Sequence, residues 1–180
     1  MAGPKHSGKT CAGKELAILL SENSACMQDV KSFCKFIDID ELILERTGKS
    51  PRQLFLEGLE TFQTAEAEAI NSILFDDQLK VVATGGGIID NSEAIAALKK
   101  IDSMIVYLNV DADCAWNRIF NSPAGIPPFL QTENPQETHR VLHERRAAAY
   151  LQLADIVIEA ENKTPEKIAS EISERLIIYN

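Results

Sequence analysis

The sequence lacks the features that mark membrane, secreted and nucleic-acid-binding proteins. No apolar run approaches the roughly 18 to 20 residues that span a bilayer, and no signal-peptide pattern opens the chain. Its 18 Lys and Arg are outnumbered by 27 Asp and Glu, which gives a net charge of −9, and they form no basic cluster. These absences favour a cytoplasmic protein and disfavour nucleic acid and membrane surfaces as partners.

The chain also lacks the cysteine and histidine spacings of metal centres and disulfide frameworks. Its cysteines stand far apart and include no C-x-x-C pair: Cys11, Cys26, Cys34 and Cys114. Among the histidines only His139 and His143 lie one helical turn apart, which alone does not indicate a metal site. We therefore expect free thiols, with Cys11 buried in a helix.

Length and hydrophobic content predict one domain over residues 1–180, because 45% of the residues are hydrophobic. Short β-branched runs alternate with longer helical patterns, which is typical of a parallel sheet covered on both faces, a three-layer α/β/α fold. Strands are predicted at 33–39, 80–83, 104–110 and 155–158. Helices are predicted at 8–21, 40–47, 51–75, 92–99, 111–120, 134–152 and 165–178.

A phosphate-binding loop, G-x-x-x-x-G-K-[ST], occupies residues 3–10. Glycines at both ends allow successive backbone N–H groups to point into one concavity, as a phosphate requires. Lys9 adds a charge for the β and γ phosphates, and Thr10 offers a hydroxyl to magnesium. The pattern predicts binding of a nucleoside triphosphate, with a chance match in a loop as the alternative.

Only Met1 and Ala2 precede this loop. Such a loop connects a buried strand to a helix, and two residues are too few for a strand. We therefore expect the first strand to be largely absent, which would leave unpaired backbone groups on both sides of a gap in the sheet. The corresponding hypothesis is that roughly five or six apolar, β-branched residues precede Ala2 in the working protein.

Two carboxylates lie at the end of the strand predicted at 33–39. Asp38 and Asp40 flank Ile39, and alternate residues of an extended chain point the same way, so both side chains are expected to face one pocket. Paired carboxylates suit a magnesium ion and a substrate hydroxyl. The alternative is that one or both cap the following helix.

Two further motifs come later in the chain. Gly85, Gly86 and Gly87 directly follow a predicted strand, where the missing side chains allow a substrate close to the backbone, or simply permit a tight turn. Arg145 and Arg146 open an Arg-x-x-x-Tyr pattern on a predicted helix. A guanidinium binds a carboxylate or phosphate through two parallel hydrogen bonds, although surface arginines are also common.

The order of these motifs resembles the shikimate kinase family over essentially the whole chain. The order is the phosphate loop, Asp38-Ile39-Asp40, Thr47-Gly48-Lys49-Ser50, the triple glycine, a Pro/Gly segment at 122–128 and Arg-x-x-x-Tyr at 146–150. The resemblance implies a nucleoside-monophosphate-kinase-like P-loop fold. It also implies a substrate-binding region at about 40–75 and a lid at about 121–133.

The activity implied by the resemblance is transfer of the ATP γ-phosphoryl group to the 3-hydroxyl of shikimate, a step toward aromatic amino acids. The implied cofactors are ATP and Mg²⁺, and such small kinases are commonly monomers. Seven residues would contact the nucleotide: Gly3, Ser7, Gly8, Lys9, Thr10, Cys11 and Arg118.

The resemblance also implies individual roles. Lys9 would stabilise the transferring phosphoryl group, and Asp40 would hold the attacking hydroxyl and accept its proton. Thr10 and Asp38 would ligate magnesium. The implied substrate-binding residues are Asp40, Gly85, Gly86, Gly87 and Arg146.

Two positions depart from the family pattern. The arginine expected after Phe62 is Gln63, and the lid arginine is Pro127. A charged hydrogen-bonded partner contributes about 1.5 to 3 kcal/mol, so these losses, from one partner to both, predict weaker binding or slower transfer by about tenfold to several thousandfold. A kinase for another small polyol or sugar acid, and a non-catalytic nucleotide-binding relative, therefore stay open as alternatives.

Overall fold

The computed structural model describes residues 1–25, 33–73, 78–100 and 103–179. The strands in this part are β1 (Lys35–Asp38), β2 (Lys80–Ala83), β3 (Val106–Asn109) and β4 (Ile156–Glu159). The helices are α1 (Lys9–Ala25), α2 (Ile39–Thr47), α3 (Pro51–Glu57), α4 (Leu59–Ser72), α5 (Ser92–Leu98), α6 (Ala112–Phe120), α7 (Pro135–Leu153) and α8 (Pro165–Tyr179). Short 3₁₀ turns cover Ile88–Asp90 and Pro128–Leu130.

The sheet is parallel and is joined in its middle by the first two residues. β1 pairs with β2, and β3 pairs with β4. Between the two pairs, Ala2 N donates to Val106 O at 2.8 Å and Leu108 N donates to Ala2 O at 2.9 Å. On the other side, Thr84 N donates to Met1 O at 3.1 Å. Met1 and Ala2 thus bridge the gap in the sheet that was expected from the sequence. Gly3, which begins the phosphate loop, directly follows Ala2 and its hydrogen bonds to β3.

Alternation along β3 separates two cores. Tyr107 and Leu108 are both fully buried, but neighbouring strand residues point to opposite faces, so they belong to different apolar clusters. Leu108 packs in the layer of α1 and α8, while Tyr107 packs in the layer of α2, α4 and α5. The predicted three-layer α/β/α fold is confirmed.

The single helix predicted over 51–75 is wrong, because Gly58 divides it into α3 and α4. Gly58 has φ 155° and ψ 144°, which is outside the helical region and accessible mainly to glycine. Ser50 precedes α3 and caps it in a capping box. The Ser50 side chain accepts a hydrogen bond from Gln53 N, and the Gln53 side chain accepts one from Ser50 N. The last residues of the predicted helix, 74 and 75, lie outside the described part.

The other predicted elements are present, β2 with the predicted ends and the rest with shifted ends. The largest functional consequence is at β1, which ends at Asp38 rather than at Ile39. Cys11 is exposed rather than buried, and together with Cys34 and Cys114 it is a free thiol. Cys26 lies outside the described residues. Within the described ranges, no helix is both long and apolar enough to cross a membrane.

Candidate active site

A cavity of about 1330 Å³ opens at the carboxyl end of the strands. Most of the predicted site residues line it: Gly8, Lys9, Thr10, Cys11, Asp38, Asp40, Gly85, Gly86, Gly87, Arg118 and Arg146. Gly3 and Ser7 are not among its lining residues, but both contact Lys9 at its edge. The structure therefore brings together in one place motifs that are far apart in the sequence.

The phosphate loop has a backbone that requires its glycines. Gly3 and Gly8 have φ values of 145° and 95°, and His6 also has a positive φ of 60°. A Cβ on Gly3 would lie 2.6 Å from Leu108 O, so this position has no room for a side chain. Both glycines are therefore fixed by conformation, as the motif predicts.

Lys9 is buried at the centre of the loop. Its Nζ donates to Gly3 O at 3.0 Å and to Pro4 O at 2.7 Å, with Ser7 Oγ at 3.4 Å. Burial lowers the pKa of Lys9 to about 8, although the neighbouring carboxylates of the α2 terminus oppose this shift. An anion that enters the loop therefore meets a cation already oriented by the backbone.

Asp38 connects the phosphate loop to α2. Thr10 Oγ1 donates to Asp38 Oδ2 at 2.7 Å. The other carboxylate oxygen accepts from Asp40 N at 3.0 Å and caps α2. The sequence argument that an extended chain aligns Asp38 with Asp40 is wrong, because Asp40 lies in the first helical turn. Both side chains nonetheless reach the same cavity.

Asp40 is open to the cavity while protein surrounds much of its carboxyl group. Burial and the charge of Asp38 raise the pKa of Asp40, and Lys9 opposes the shift. A carboxylate with a raised pKa accepts a proton more readily than an ordinary aspartate. The group therefore has the character of a general base.

Each glycine of the triple glycine faces another group of the protein. An added Cβ would lie 2.8 Å from Glu66 Oε1 at Gly85, 2.8 Å from Lys5 N at Gly86, and 3.0 Å from Arg146 Nη2 at Gly87. The expectation that the missing side chains leave room for a ligand is therefore incomplete, since protein groups already approach all three positions. Gly86 in particular touches the backbone of the phosphate loop.

Glu66 is a site residue that the sequence reasoning missed. Its Oε2 accepts from Asn91 Nδ2 at 3.0 Å, whereas Oε1 has no hydrogen-bond partner among the described residues. The side chain is fully buried, and burial raises the pKa of Glu66 to about 7. A usable signal is its spacing of four residues from both Phe62 and Ile70, which places a glutamate on the apolar face of α4.

Arg146 lines the cavity next to Gly87 but already has an acidic partner. Its Nε and Nη2 donate to Asp90 Oδ2 at 2.8 and 2.7 Å, and Arg145 Nη2 donates to Asp90 Oδ1 at 2.8 Å. Asp90 was not predicted as a site residue. The tyrosine of the Arg-x-x-x-Tyr pattern, Tyr150, is buried and stacks on Tyr107 at 5.1 Å, so it belongs to the core.

Residues at the two departures from the family pattern also line this cavity. Gln63 Nε2 donates to the backbone oxygen of Asp90 at 3.0 Å, so it supports the 3₁₀ turn without adding a charge. In the segment of Pro127, Phe129 lies with its ring centroid 5.6 Å from Arg146 Cζ and 6.0 Å from the ring of Phe55. An aromatic ring from the 3₁₀ turn Pro128–Leu130 therefore covers Arg146.

Arg118 lies beside the nucleotide loop. Its Nη1 donates to His6 O at 3.0 Å, which ties α6 to the loop. Cys11 also lines the cavity. The nucleotide-side residues predicted from the sequence are thus neighbours in space.

Comparison with known proteins gives a consistent result. The family model described as Shikimate kinase matches residues 5–177. The Shikimate kinase of Lactococcus lactis subsp. lactis is 32% identical over 168 residues, which cover 91% of this chain and 91% of that protein. The Shikimate kinase of Actinobacillus pleuropneumoniae is 31% identical over 175 residues, covering 97% of this chain and 92% of that protein.

Solved structures agree with the sequence matches. Shikimate kinase from Acinetobacter baumannii in complex with shikimate superposes with a TM-score of 0.83 at 28% identity, covering 99% of this chain and 92% of that chain. Shikimate kinase from Bacteroides thetaiotaomicron has a TM-score of 0.76 at 25% identity, covering 98% of this chain and 96% of that chain.

Proposed function

Because the chain belongs to the shikimate kinase family, we propose that it transfers the γ-phosphoryl group of ATP to the 3-hydroxyl of shikimate, giving shikimate 3-phosphate and ADP. One observation carries the proposal: the family match runs over residues 5–177, and the phosphate loop, Asp40 and Arg146 line one cavity within it. The reaction belongs to the biosynthesis of aromatic amino acids. The proposal treats residues 1–180 as one kinase domain that acts as a monomer.

The family uses ATP, and the phosphate loop is where we place its phosphates. The N–H groups at the start of α1 and the buried ammonium of Lys9 favour the β and γ phosphates. Gly3 O and Ser7 Oγ accept hydrogen bonds from Lys9 Nζ and hold it in place. We assign Arg118 and Cys11, which line the same cavity, to contacts with the nucleotide. Lys9 then neutralises charge on the phosphoryl group as it transfers.

We place Mg²⁺ next to Thr10 and Asp38. Their oxygens are 2.7 Å apart beside the loop, and a hydroxyl together with a carboxylate is the donor chemistry that Mg²⁺ prefers. When bound there, the ion would supply positive charge to the phosphates of ATP. Residues Thr10 and Asp38 would hold it directly or through water.

Asp40 holds and activates the acceptor hydroxyl. As the new oxygen–phosphorus bond forms and the bond to ADP breaks, the hydroxyl proton passes to a carboxylate oxygen of Asp40. The raised pKa of Asp40 suits this transfer, because the protonated product is stabilised relative to an ordinary aspartate. The remaining requirement is orientation of the two reactants.

The acceptor ring lies against the triple glycine in this proposal, and its carboxylate reaches Arg146. Backbone groups of Gly85, Gly86 and Gly87 line the cavity there. We assign the substrate-binding region to about 40–75 and the lid to about 121–133, where Phe129 covers Arg146.

A coupled ADP-release assay with shikimate, quinate, gluconate and nucleoside monophosphates tests the function. We expect turnover to be fastest with shikimate and to be lost in Lys9→Met. Faster turnover with an acceptor that lacks a carboxylate would exclude shikimate as the preferred substrate.

A second candidate is favoured by Gln63 and by the pairing of Arg146 with Asp90, both of which reduce the cationic character of the acceptor side. It is a kinase for another small polyol or sugar acid. Calorimetric titration with ATP and Mg²⁺ separates both kinases from a non-catalytic relative, which would bind ATP without turnover of any acceptor.

A further inference from the structure

The acceptor side of the cavity contains a carboxylate of its own. Asp90 ends the 3₁₀ turn that follows the triple glycine, and its side chain is 25% exposed. It lies between two cations of α7, Arg145 and Arg146, that are 55 and 56 residues further along the chain. Both ion pairs are at hydrogen-bonding distance, with 2.8 Å and 2.7 Å as their closest approaches.

Asp90 occupies one edge of the Arg146 guanidinium. Nε and Nη2 both donate to Oδ2, and Nη1 lies 3.4 Å from Gly86 O. A guanidinium carries five N–H groups on two usable edges, so one edge faces Asp90 while the Nη1–Nη2 end stays directed to other partners. A carboxylate ligand bound at that end would share Arg146 with Asp90.

The net charge around Arg146 determines how strongly it can bind a ligand carboxylate that it shares with Asp90. Arg145 and Arg146 contribute two positive charges, and Asp90 cancels one of them. Gln63, which supports the same turn through the Asp90 backbone, adds none. A ligand carboxylate on Arg146 therefore approaches a resident carboxylate of the same sign a few ångströms away, in a partly enclosed site where screening is reduced.

We propose that Asp90 is a specificity-determining residue, a resident carboxylate that shares Arg146 with the carboxylate of the acceptor and thereby lowers the preference of the pocket for acids over uncharged ligands of the same shape. The inference rests on the proposed function, because it uses the placement of the acceptor carboxylate on Arg146. It adds a residue that sets the substrate class of that site.

A purely structural role for Asp90 makes a different prediction. If the ion pairs only tied the 3₁₀ turn to α7, loss of the charge would loosen Arg146 and weaken binding of the acid. If the resident charge opposes the ligand, its loss strengthens binding of the acid and leaves the uncharged ligand unaffected. Asp90→Asn separates the two, because an asparagine keeps the shape and one acceptor oxygen while the charge is removed.

The experiment measures Kd by calorimetry for shikimate and for its uncharged methyl ester, with wild type, Asp90→Asn and Glu93→Gln. The ratio of the ester Kd to the acid Kd is expected to rise about tenfold in Asp90→Asn, while the ester Kd stays within about twofold. Glu93, exposed at the start of α5, is the matched control, and its substitution should leave the ratio unchanged. An unchanged or lower ratio in Asp90→Asn overturns the proposal.

Thermal melting of each variant shows whether it is folded, and Asp90→Ser serves as a second charge-free variant with the same expected direction. Turnover is measured on the same samples. If shikimate is phosphorylated but the ratio of the ester Kd to the acid Kd is unchanged in Asp90→Asn, the role of Asp90 is overturned and the proposed function is not. If shikimate is not phosphorylated but the ratio of the ester Kd to the acid Kd still rises in Asp90→Asn, the proposed function is overturned. Asp90 then remains a residue that sets the preference of the pocket between acids and uncharged ligands. Absence of binding by either ligand overturns both.

Discussion

The hydroxyl of Thr10 donates a 2.7 Å hydrogen bond to Asp38 Oδ2, which joins the phosphate loop to the end of β1. Asp38 uses its other oxygen to cap α2, the helix that carries Asp40. One carboxylate thus links the nucleotide loop to the element that holds the proposed base. A change at either partner should affect the nucleotide site and the acceptor site together.

Thr10→Val tests the proposed magnesium role of this pair. Removal of the hydroxyl takes away one oxygen donor, and we expect kcat/KM to fall about 10- to 100-fold, the cost of one charged hydrogen-bonding or ligand interaction. The gain in ATP affinity that Mg²⁺ provides, measured by calorimetry with and without the ion, should largely disappear. Thr10→Ser keeps the hydroxyl and is the control. Equal behaviour of the two variants would argue against a role of this oxygen in metal binding.

Asp40→Asn should reduce kcat by about 10²- to 10⁴-fold, because an amide cannot accept the hydroxyl proton. ATP affinity should change little. In the wild type, the pKa of Asp40 is raised from its ordinary value of 3.8, so the acid limb of the pH–kcat profile should lie above that value. Glu41→Gln removes an equal charge from the exposed side of the same helical turn and should leave kcat unchanged. A similar loss in both variants would indicate a general charge effect.

Glu66 should make the protein less stable as the pH rises. Burial, together with the charge of Asp40, raises the pKa of Glu66 from 4.5 to about 7 in the folded state. Between these values the folded protein retains a proton that the unfolded chain has released. The free energy of unfolding therefore falls through this window, by up to about 3 kcal/mol, and levels off above it.

Urea unfolding of wild type and Glu66→Gln from about pH 5 to about pH 8 measures this contribution. The variant has no carboxyl group to ionise, so its stability relative to wild type should increase with pH. Glu60→Gln, on the exposed side of the same helix, is the control. Parallel curves for wild type and Glu66→Gln would show that Glu66 titrates normally.

Gln63→Arg should restore a cation next to the acceptor. The new guanidinium lies one helical turn before Glu66, where it supplies a partner for Oε1, which has none in the described part of the chain. We expect the KM for shikimate to fall about tenfold with little change in kcat, and the pH-dependent loss of stability from Glu66 to shrink. Gln63→Met, of similar length without charge, is the control. An unchanged KM in Gln63→Arg would place the acceptor carboxylate away from this position.

Local patterns predicted much of the fold and the glycine-dependent geometry of the phosphate loop. The phosphate loop and β2 depend on residues adjacent in sequence, so motif and periodicity were sufficient for them. Gly58 was missed because a glycine is tolerated within a helical pattern, and only its positive φ divides α3 from α4. The side chains of Asp38 and Asp40 were expected to align because the end of a strand is poorly defined by propensity, whereas β1 ends at Asp38 and Asp40 lies in α2.

The acceptor side was less predictable because its interactions are long-range. Asp90 meets Arg146 across 56 residues, and Asn91 meets Glu66 across 25. Neither pair has a local signature, and an acidic residue near a helix start is ordinarily read as a solvated or capping group. The available signal for Glu66 was its spacing of four residues from Phe62 and Ile70, which shows that a glutamate lies on the apolar face of α4.

The contact between Gly86 and Lys5 has a consequence for catalysis. An added Cβ at Gly86 would lie 2.8 Å from Lys5 N, so the acceptor side and the nucleotide loop meet backbone against backbone with no side chain between them. Such a contact has no side-chain rotamers that could relax to make room for a Cβ at Gly86. With ATP and the acceptor placed as proposed, the folded chain would set the separation between the phosphoryl donor and its acceptor before either ligand binds.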